Sequence, residues 1–131
     1  MTKYNKYTKY KTVEIKNRDW PNNPLNKCPI WCSVDLRDGN QALAEPMDSA
    51  RKMNFFKKLI DVGYKEIEVG FPSASDTDFN FIRELIDGGY VPDDVTIQVL
   101  TQSREELIKK TIDSLKGSKN AIIHLYNSTS T

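Results

Sequence analysis

An arginine and an aspartate, Arg37 and Asp38, stand side by side in a charged loop that follows an apolar run of the sequence. A guanidinium group can bind the carboxylate of a 2-keto acid through two parallel hydrogen bonds. A neighbouring carboxylate can ligate a divalent cation. The pair therefore predicts a site for a metal-bound 2-keto acid, with the ketone polarised by the cation and its oxygen charge balanced by the arginine. The alternative is a solvated turn with a surface ion pair, which contributes little to stability.

Two further candidate residues lie on later apolar runs. Glu68 alternates with Glu66 along a short segment, so both carboxylates are predicted on one face of a strand. A buried carboxylate is costly without a partner, and the alternative is a glutamate that faces solvent from an edge strand. His124 is the only histidine of the 131-residue sequence and precedes Tyr126 by two residues. It is either a satisfied core residue or, from the carboxyl end of its strand, a substrate contact.

The elements that must position these residues follow a repeating order. Apolar, β-branched or aromatic runs predict four strands, at Ile30–Val34, Ile67–Val69, Val95–Leu100 and Ala121–Leu125. Between the strands, apolar residues recur at helical spacing and predict three helices. The helices are expected to run from Pro46 to Gly63, from an Asp76 cap to Gly88 and Gly89, and from a capping box of Ser103 and Glu106 to Gly117.

Strands that alternate with single helices predict parallel β–α units of the α/β class, as in an open doubly wound sheet or a (β/α)8 barrel. An open nucleotide-binding sheet should show a glycine-rich turn after its first strand, whereas the segment 35–41 is charged and holds one glycine, Gly39. The loop therefore favours a partial (β/α)8 TIM barrel with parallel strands and the first four β/α units. Because a complete barrel needs about 250 residues, we expect residues 29–131 to be the truncated first half of a catalytic domain.

Composition and charge argue against several kinds of partner. The 19 Lys+Arg and 18 Asp+Glu residues nearly cancel, which provides no long-range field to attract nucleic acid or a membrane surface. No apolar run approaches the roughly 20 residues of a transmembrane helix, and no signal-peptide core is present. Cys28 and Cys32 are interpreted as reduced thiols of a cytoplasmic protein. Residues 1–28 predict a partly disordered amino-terminal extension that starts with a basic, tyrosine-rich arm.

Four segments of the sequence, in this order, resemble one enzyme family, the 2-isopropylmalate synthases. They are PIWCSVDLRDGNQAL at 29–43, EIEVGFPSAS at 66–75, IQVLTQSR at 97–104 and HLYNSTS at 124–130. In that family, similar segments form successive barrel strands and the loops that follow them. The likeness is to the longer, actinobacterial- and fungal-like branch, which the segment Arg18–Pro21 also resembles. The resemblance extends over residues 18–131.

The resemblance implies a (β/α)8 barrel and an acyltransferase reaction of leucine biosynthesis. In this reaction the acetyl group of acetyl-CoA adds to 2-oxoisovalerate, and thioester hydrolysis gives 2-isopropylmalate and CoA. Asp38 would ligate a divalent metal (Mg2+, Mn2+ or Zn2+), and Arg37 would be the catalytic residue that binds the keto oxygen and the developing enolate. The other substrate-binding residues that the resemblance implies are Gln41, Glu68, Leu100, His124 and Tyr126. It also implies that the full-length protein is a homodimer.

One departure from the family pattern limits what this chain can do alone. The resemblance implies two more metal ligands in a His-x-His pair, which the sequence lacks, so we expect the isolated chain to be inactive. A sister enzyme of the homocitrate or citramalate synthase type remains an alternative, although Leu100, His124 and Tyr126 suit a compact, partly apolar side chain better than a second carboxylate. A third reading is a non-catalytic half-barrel that binds a partner or dimerises through its open face.

Overall fold

The computed structural model describes residues 11, 13–17 and 27–129, and its strands and helices alternate as the sequence predicts. The elements are β1 (Cys32–Ser33), α1 (Ser49–Val62), β2 (Glu66–Gly70), α2 (Asp76–Asp87), β3 (Thr96–Gln102), α3 (Glu105–Ser114) and β4 (Ala121–Tyr126). Within this part of the chain, the four strands form one parallel sheet in the order β1-β2-β3-β4. This confirms the α/β class and the partial (β/α) barrel. Most of the predicted extension at 1–28 lies outside the described residues.

Strand β1 is shorter than the apolar run at Ile30–Val34 predicts, since only Cys32 and Ser33 pair with β2. The carbonyl of Val34 has left the strand ladder and accepts hydrogen bonds from the backbone N–H groups of the next residues. The N···O distances are 3.2 Å from Arg37, 2.8 Å from Asp38 and 3.3 Å from Gly39. The charged segment therefore begins as a π-helical turn at Asp35–Gly39 rather than as an open loop.

The first two helices begin at caps that differ from the predicted ones. Helix α1 begins at Ser49, three residues after Pro46, because the side chain of Asp48 accepts a hydrogen bond from the N–H of Arg51 at 2.8 Å. Helix α2 is capped by Ser75 instead of Asp76, since the Ser75 hydroxyl accepts from the N–H of Asp78 at 3.3 Å. In both cases, the side chain that satisfies a free helical N–H group determines the first residue of the helix.

The capping box predicted for Ser103 and Glu106 is wrong. Helix α3 is preceded by Arg104, which makes no side-chain cap hydrogen bond. The backbone N–H of Ser103 donates to the carbonyl of Tyr126 at 2.9 Å, so Ser103 continues the pairing of β3 with β4. A tertiary contact has taken the residue that the local pattern assigns to the helix.

The two faces of the sheet differ in chemistry. Alternate residues of β2 and β3 point into a core that they share with α1 and α2, and are fully buried; they are Ile67, Val69, Ile97 and Val99. The opposite face carries Glu68 and Gln98, which are aligned on neighbouring strands. No described helix combines the length and apolar composition that a bilayer crossing requires. The helix-facing side thus forms the apolar core, and the opposite side carries polar residues.

Replacement of Gly63 by alanine is expected to lower the free energy of unfolding by about 1–2 kcal/mol. Gly63 ends α1 with a φ of 107°, a left-handed conformation in which a β-carbon is strained. Its N–H donates to the carbonyl of Ile60 at 2.9 Å, so the backbone is held in that conformation. In urea unfolding, the free energy of unfolding should decrease from the wild type to Gly63→Asn and further to Gly63→Ala, because asparagine tolerates this conformation better than alanine. Equal stabilities would contradict the strain.

Candidate functional site

A buried carboxylate, that of Glu68 in β2, joins side chains from three other elements. Its side chain is 0% exposed to solvent. One oxygen, Oε1, accepts a hydrogen bond from Nε of Arg37 in the π-helical turn. The other, Oε2, accepts from Nε2 of Gln98 in β3 and lies 3.2 Å from Nδ1 of His124 in β4. Groups that are 31, 30 and 56 residues away in sequence therefore converge on one side chain.

The parallel register accounts for this convergence. Glu68 is aligned with Gln98 across β2 and β3, and Leu100 is aligned with His124 across β3 and β4. Aligned residues of neighbouring strands have their side chains on the same face of the sheet. Glu68 and Gln98 are therefore direct neighbours, and His124 reaches Glu68 diagonally across β3. Because β2 lies inside the sheet between β1 and β3, Glu68 is not the solvent-facing edge glutamate of the alternative reading.

Arg37 is shared between a buried carboxylate and an exposed one. Besides its contact with Glu68, its Nη1 lies 2.7 Å from Oδ1 of Asp38. The Arg37 side chain is 13% exposed, whereas that of Asp38 is 64% exposed. The fully buried Leu36 attaches the turn to the core. The turn therefore directs the arginine inwards and leaves the aspartate accessible at the rim.

The contacts of Glu68 determine its charge. Burial alone raises the pKa of this carboxyl, but hydrogen bonds from Arg37, His124 and Gln98 together outweigh burial and hold the pKa below its ordinary value. Glu68 is therefore an anion at neutral pH. Burial, and then the negative charges of Glu68 and Glu66, raise the pKa of the Cys32 thiol. Cys32 is accordingly a neutral thiol beside this site.

The structure brings most of the sequence-derived candidates together. Arg37, Asp38, Glu68 and His124 form one continuous set of contacts. Leu100 is the strand neighbour of His124 and is half-buried. Gln41 is exposed and, among the described residues, makes no side-chain hydrogen bond to this group.

Tyr126 lies further along β4, at the end of the strand. By the alternation of β4 it lies on the same face of the sheet as His124. Its ring meets that of Phe71 edge-to-face, with centroids 6.2 Å apart and an interplanar angle of 75°. Phe71 follows β2 directly and is held there, since its N–H donates to Oδ2 of Asp78 at 2.8 Å. An aromatic pair therefore borders the group of polar residues on the side of the strand ends.

Sequence reasoning missed Gln98. A signal for it was present, because a polar residue stands in the middle of the apolar run of β3, between Ile97 and Val99, whose side chains face the helices. An amide in that position must find a hydrogen-bonding partner on the opposite face. The partner is Glu68. The sequence predicts a strand at Glu68 but does not predict how that strand is aligned with β3.

The described residues supply one suitable ligand for a divalent cation, the carboxylate of Asp38. The exposed carboxylate of Asp38 is a suitable oxygen donor for Mg2+, Mn2+ or Zn2+. Over residues 27–129 and the short described stretches before them, no three His, Cys, Asp or Glu side chains converge where a metal ion could be held. The hydrogen bonds of Glu68 are directed to Arg37, Gln98 and His124. A complete cation site therefore needs donors besides those described.

Several 2-isopropylmalate synthases are similar to this chain over nearly its whole length. A 2-isopropylmalate synthase from Clostridium acetobutylicum is 61% identical over 127 residues, which is 97% of this chain and 23% of the relative. The one from Acetoanaerobium sticklandii is 59% identical over 128 residues, which is 98% of this chain and 23% of the relative. The one from Pseudarthrobacter chlorophenolicus is 62% identical over 130 residues, which is 97% of this chain and 22% of the relative. The chain thus spans less than a quarter of the length of these curated relatives.

The family model described as HMGL-like matches residues 28–131. This range contains every described strand and helix, together with Arg37, Glu68 and His124. The alternation of parallel strands and helices in that range agrees with a partial (β/α) barrel. The chain belongs to the HMGL-like family.

Proposed function

We propose that this chain supplies the keto-acid side of the active site of a 2-isopropylmalate synthase, which condenses acetyl-CoA with 2-oxoisovalerate and hydrolyses the thioester with water to give 2-isopropylmalate and CoA. The proposal rests on one observation above all: the Arg37 guanidinium is held between the buried Glu68 and the exposed Asp38. Relatives of that name are about 60% identical to the chain. Residues 29–131 would be the first half of the barrel domain and residues 1–28 its extension, in a cytoplasmic homodimer.

Arg37 is the proposed catalytic residue. Its contacts with Glu68 and Asp38 use only part of the donors of a guanidinium, so others can bind the ketone oxygen of 2-oxoisovalerate. As the enolate carbon of the acetyl group bonds to the ketone carbon, that oxygen becomes an alkoxide. The guanidinium of Arg37, which Glu68 holds in place beforehand, stabilises this negative charge without reorganising during the reaction. Glu68 contributes by holding Arg37 in place from a buried position.

Asp38 is the proposed metal ligand of this chain. When bound, a divalent cation polarises the ketone and increases its reactivity towards the enolate. The exposed position of Asp38 at the rim of the sheet suits a ligand that must meet donors from elsewhere in the protein. Arg37, in contact with Asp38, orients its carboxylate. A single carboxylate suits Mg2+, Mn2+ and Zn2+ alike.

The pocket for the keto-acid side chain is assigned to residues beyond Glu68 on the same side of the sheet. Leu100 provides an apolar surface, His124 provides an imidazole held by Glu68, and Tyr126 provides an aromatic wall backed by Phe71. This mixture suits the isopropyl group of 2-oxoisovalerate better than a second carboxylate. Gln41 would support the loop that carries Asp38.

The proposal is tested with a chimera in which this chain replaces the aligned segment of the Clostridium acetobutylicum 2-isopropylmalate synthase. We expect it to release CoA when acetyl-CoA, 2-oxoisovalerate and a divalent cation are all present. Asp38→Asn should lower kcat/KM by about 100-fold or more, because polarisation by the metal is worth several kcal/mol. Asp93→Asn, which removes an exposed carboxylate paired with Lys119, should leave the rate unchanged.

Two results would overturn this function. One is a monodisperse chimera with native circular dichroism that releases no CoA. The other is a chimera that prefers 2-oxoglutarate or pyruvate, which would assign the pocket to a sister enzyme. The 131-residue chain alone should show no turnover, since Asp38 is its one proposed metal ligand. Turnover by the chain alone would contradict the assignment of the ligands.

A further inference from the structure

Gln98 makes a contact that none of the proposed roles uses. It lies beside Glu68 in the parallel register, and its Nε2 donates to Oε2 of Glu68. The same oxygen lies 3.2 Å from Nδ1 of His124, whereas Oε1 accepts from Arg37. The last torsion of a glutamate side chain has only a broad preference, so a carboxylate takes its orientation from its partners. Two of the three partners also have other tasks in the proposed site.

We infer that Gln98 is a positioning residue, which fixes the Glu68 carboxylate so that one oxygen holds Arg37 and the other holds His124. The inference rests on the proposed function and deepens it, because it assigns the geometry of the keto-acid site to a residue that touches no substrate. Gln98 is suited to this task by its place on β3, a strand paired on both sides, whose backbone is fixed by β2 and β4. Arg37, in contrast, lies on a turn.

The amide of Gln98 is the neutral partner in a charged environment. In the described part of the chain, the titratable and charged groups that face Glu68 are Arg37 from the turn, Cys32 from β1 and His124 from β4, with Glu66 on its own strand. Substitution of Gln98 by leucine removes one hydrogen bond and leaves all these charges in place. Substitution by glutamate keeps the shape of the side chain but sets a second carboxyl against the first.

The first test follows the carboxyl carbon of Glu68 by NMR in the 131-residue chain, with the signal assigned by its loss in Glu68→Gln. The pKa of Glu68 should rise in Gln98→Leu, because a hydrogen bond to the charged form is lost. It should rise further in Gln98→Glu, since two carboxyls in contact resist a second negative charge. Gln102→Leu is the matched control on the same strand and face, and it should leave the pKa unchanged.

The second test uses the chimera. In Gln98→Leu, kcat/KM for 2-oxoisovalerate should fall on the order of 10²-fold, the effect of a misplaced catalytic group. The KM for 2-oxoisovalerate should rise and the KM for acetyl-CoA should stay constant, whereas simple loss of folded enzyme would change neither. A Glu68 carboxyl that titrates alike in wild type, Gln98→Leu and Gln98→Glu would overturn the inference. An inactive wild-type chimera would instead overturn the proposed function, and the NMR titration would still decide the role of Gln98.

Discussion

Replacement of Glu68 by glutamine is expected to lower the free energy of unfolding by about 3 kcal/mol, the cost of removing one partner of a buried ion pair. Arg37 is 13% exposed and, among the described residues, would keep the exposed Asp38 as its one anionic partner. In Glu68, one carboxylate oxygen accepts from Arg37 and the other accepts from Gln98. A glutamine replaces one of these oxygens by an NH2 group, so one of the two donors loses its acceptor. In the chimera, kcat/KM should fall by about 100-fold or more because Arg37 is no longer held.

The dependence of stability on pH provides a separate measure of the same contacts. The pKa of Glu68 is lowered in the folded state relative to its ordinary value in the unfolded chain. Its contribution is therefore complete above the ordinary value and is lost as the pH falls through the lowered folded value. The difference in unfolding free energy between wild type and Glu68→Gln, measured in urea at several pH values, should shrink over that acidic range. Other carboxyls with lowered pKa values, such as Asp76 and Asp94, are common to both proteins and cancel.

Glu66 provides the matched control for Glu68. It lies two residues earlier on β2, on the same face of the strand, and is half-buried. No hydrogen bond or ion pair joins its side chain to another described residue. Glu66→Gln should therefore change stability by no more than about 0.5 kcal/mol. Equal losses in the two variants would show that burial of any carboxylate on this strand, rather than the contact with Arg37, is what matters.

The order of the elements could be predicted from sequence because it depends on short-range periodicity. Apolar residues at period two mark strands such as β3, and those at period 3.6 mark helices such as α1. Gly63 was recognisable as a helix end because glycine is the residue that most readily takes a left-handed conformation, and its φ is 107°. These signals are local, so a single sequence is enough to detect them. They predicted the alternation and, with the charge of the loop after β1, the barrel.

The start of α3 and the length of β1 depend on which of two partners a backbone group takes. Ser103 has the spacing of a capping residue, yet its N–H group bonds to Tyr126 and it caps nothing. Val34 is β-branched, yet its carbonyl serves the π-helical turn instead of a strand. In both places, a backbone group has two available partners. Which partner it takes depends on the three-dimensional fold, which local propensity does not contain.

The candidate site was predictable where charge marked it. Arg37, Glu68 and His124 are ionisable groups at or near the ends of apolar runs, and such groups need partners. Gln98 carries no charge, and only the register between β2 and β3 reveals its partner. The burial of Lys52 was also missed, in this case because the residue is charged. A lysine on a helix is usually solvated, and no local feature of the sequence indicates that this one is buried.

Replacement of Lys52 in α1 by methionine is expected to destabilise the fold strongly. Its side chain is 1% exposed, and its Nζ donates to Oδ1 of Asp78 in α2. The ammonium group also lies 5.4 Å from the centroid of the Phe81 ring. Lys52→Met keeps most of the volume and removes the charge, which leaves Asp78, 15% exposed, without its cation. The free energy of unfolding should fall by about 3–5 kcal/mol, as measured by urea denaturation.

The partner Asp78 also holds the loop that follows β2. Its Oδ2 accepts from the N–H of Phe71 at 2.8 Å, and a β-carbon at Gly70 would lie 2.9 Å from its carboxyl carbon. Any side chain at position 70 would therefore require the Asp78 side chain to move. The pair of Lys52 and Asp78 thus joins two helices to the segment that places Phe71 against Tyr126. Lys58→Met provides the control, since its pair with Asp61 is exposed on both sides and should contribute no more than about 0.5 kcal/mol.

A double-mutant cycle separates the ion pair from the other contacts of its members. Asp78→Asn retains an oxygen that can accept from Phe71, so it removes the charge and leaves that hydrogen bond. Each single variant leaves one charge, the buried Lys52 or the half-buried Asp78, without its partner, whereas the double variant Lys52→Met/Asp78→Asn leaves neither. The double variant should therefore lose less stability than the sum of the single losses, with a coupling energy of about 1–3 kcal/mol. Additive losses would mean that Lys52 stabilises the helix through the contacts of its aliphatic stem and of its ammonium group with the Phe81 ring. The ion pair between Lys52 and Asp78 would then contribute nothing.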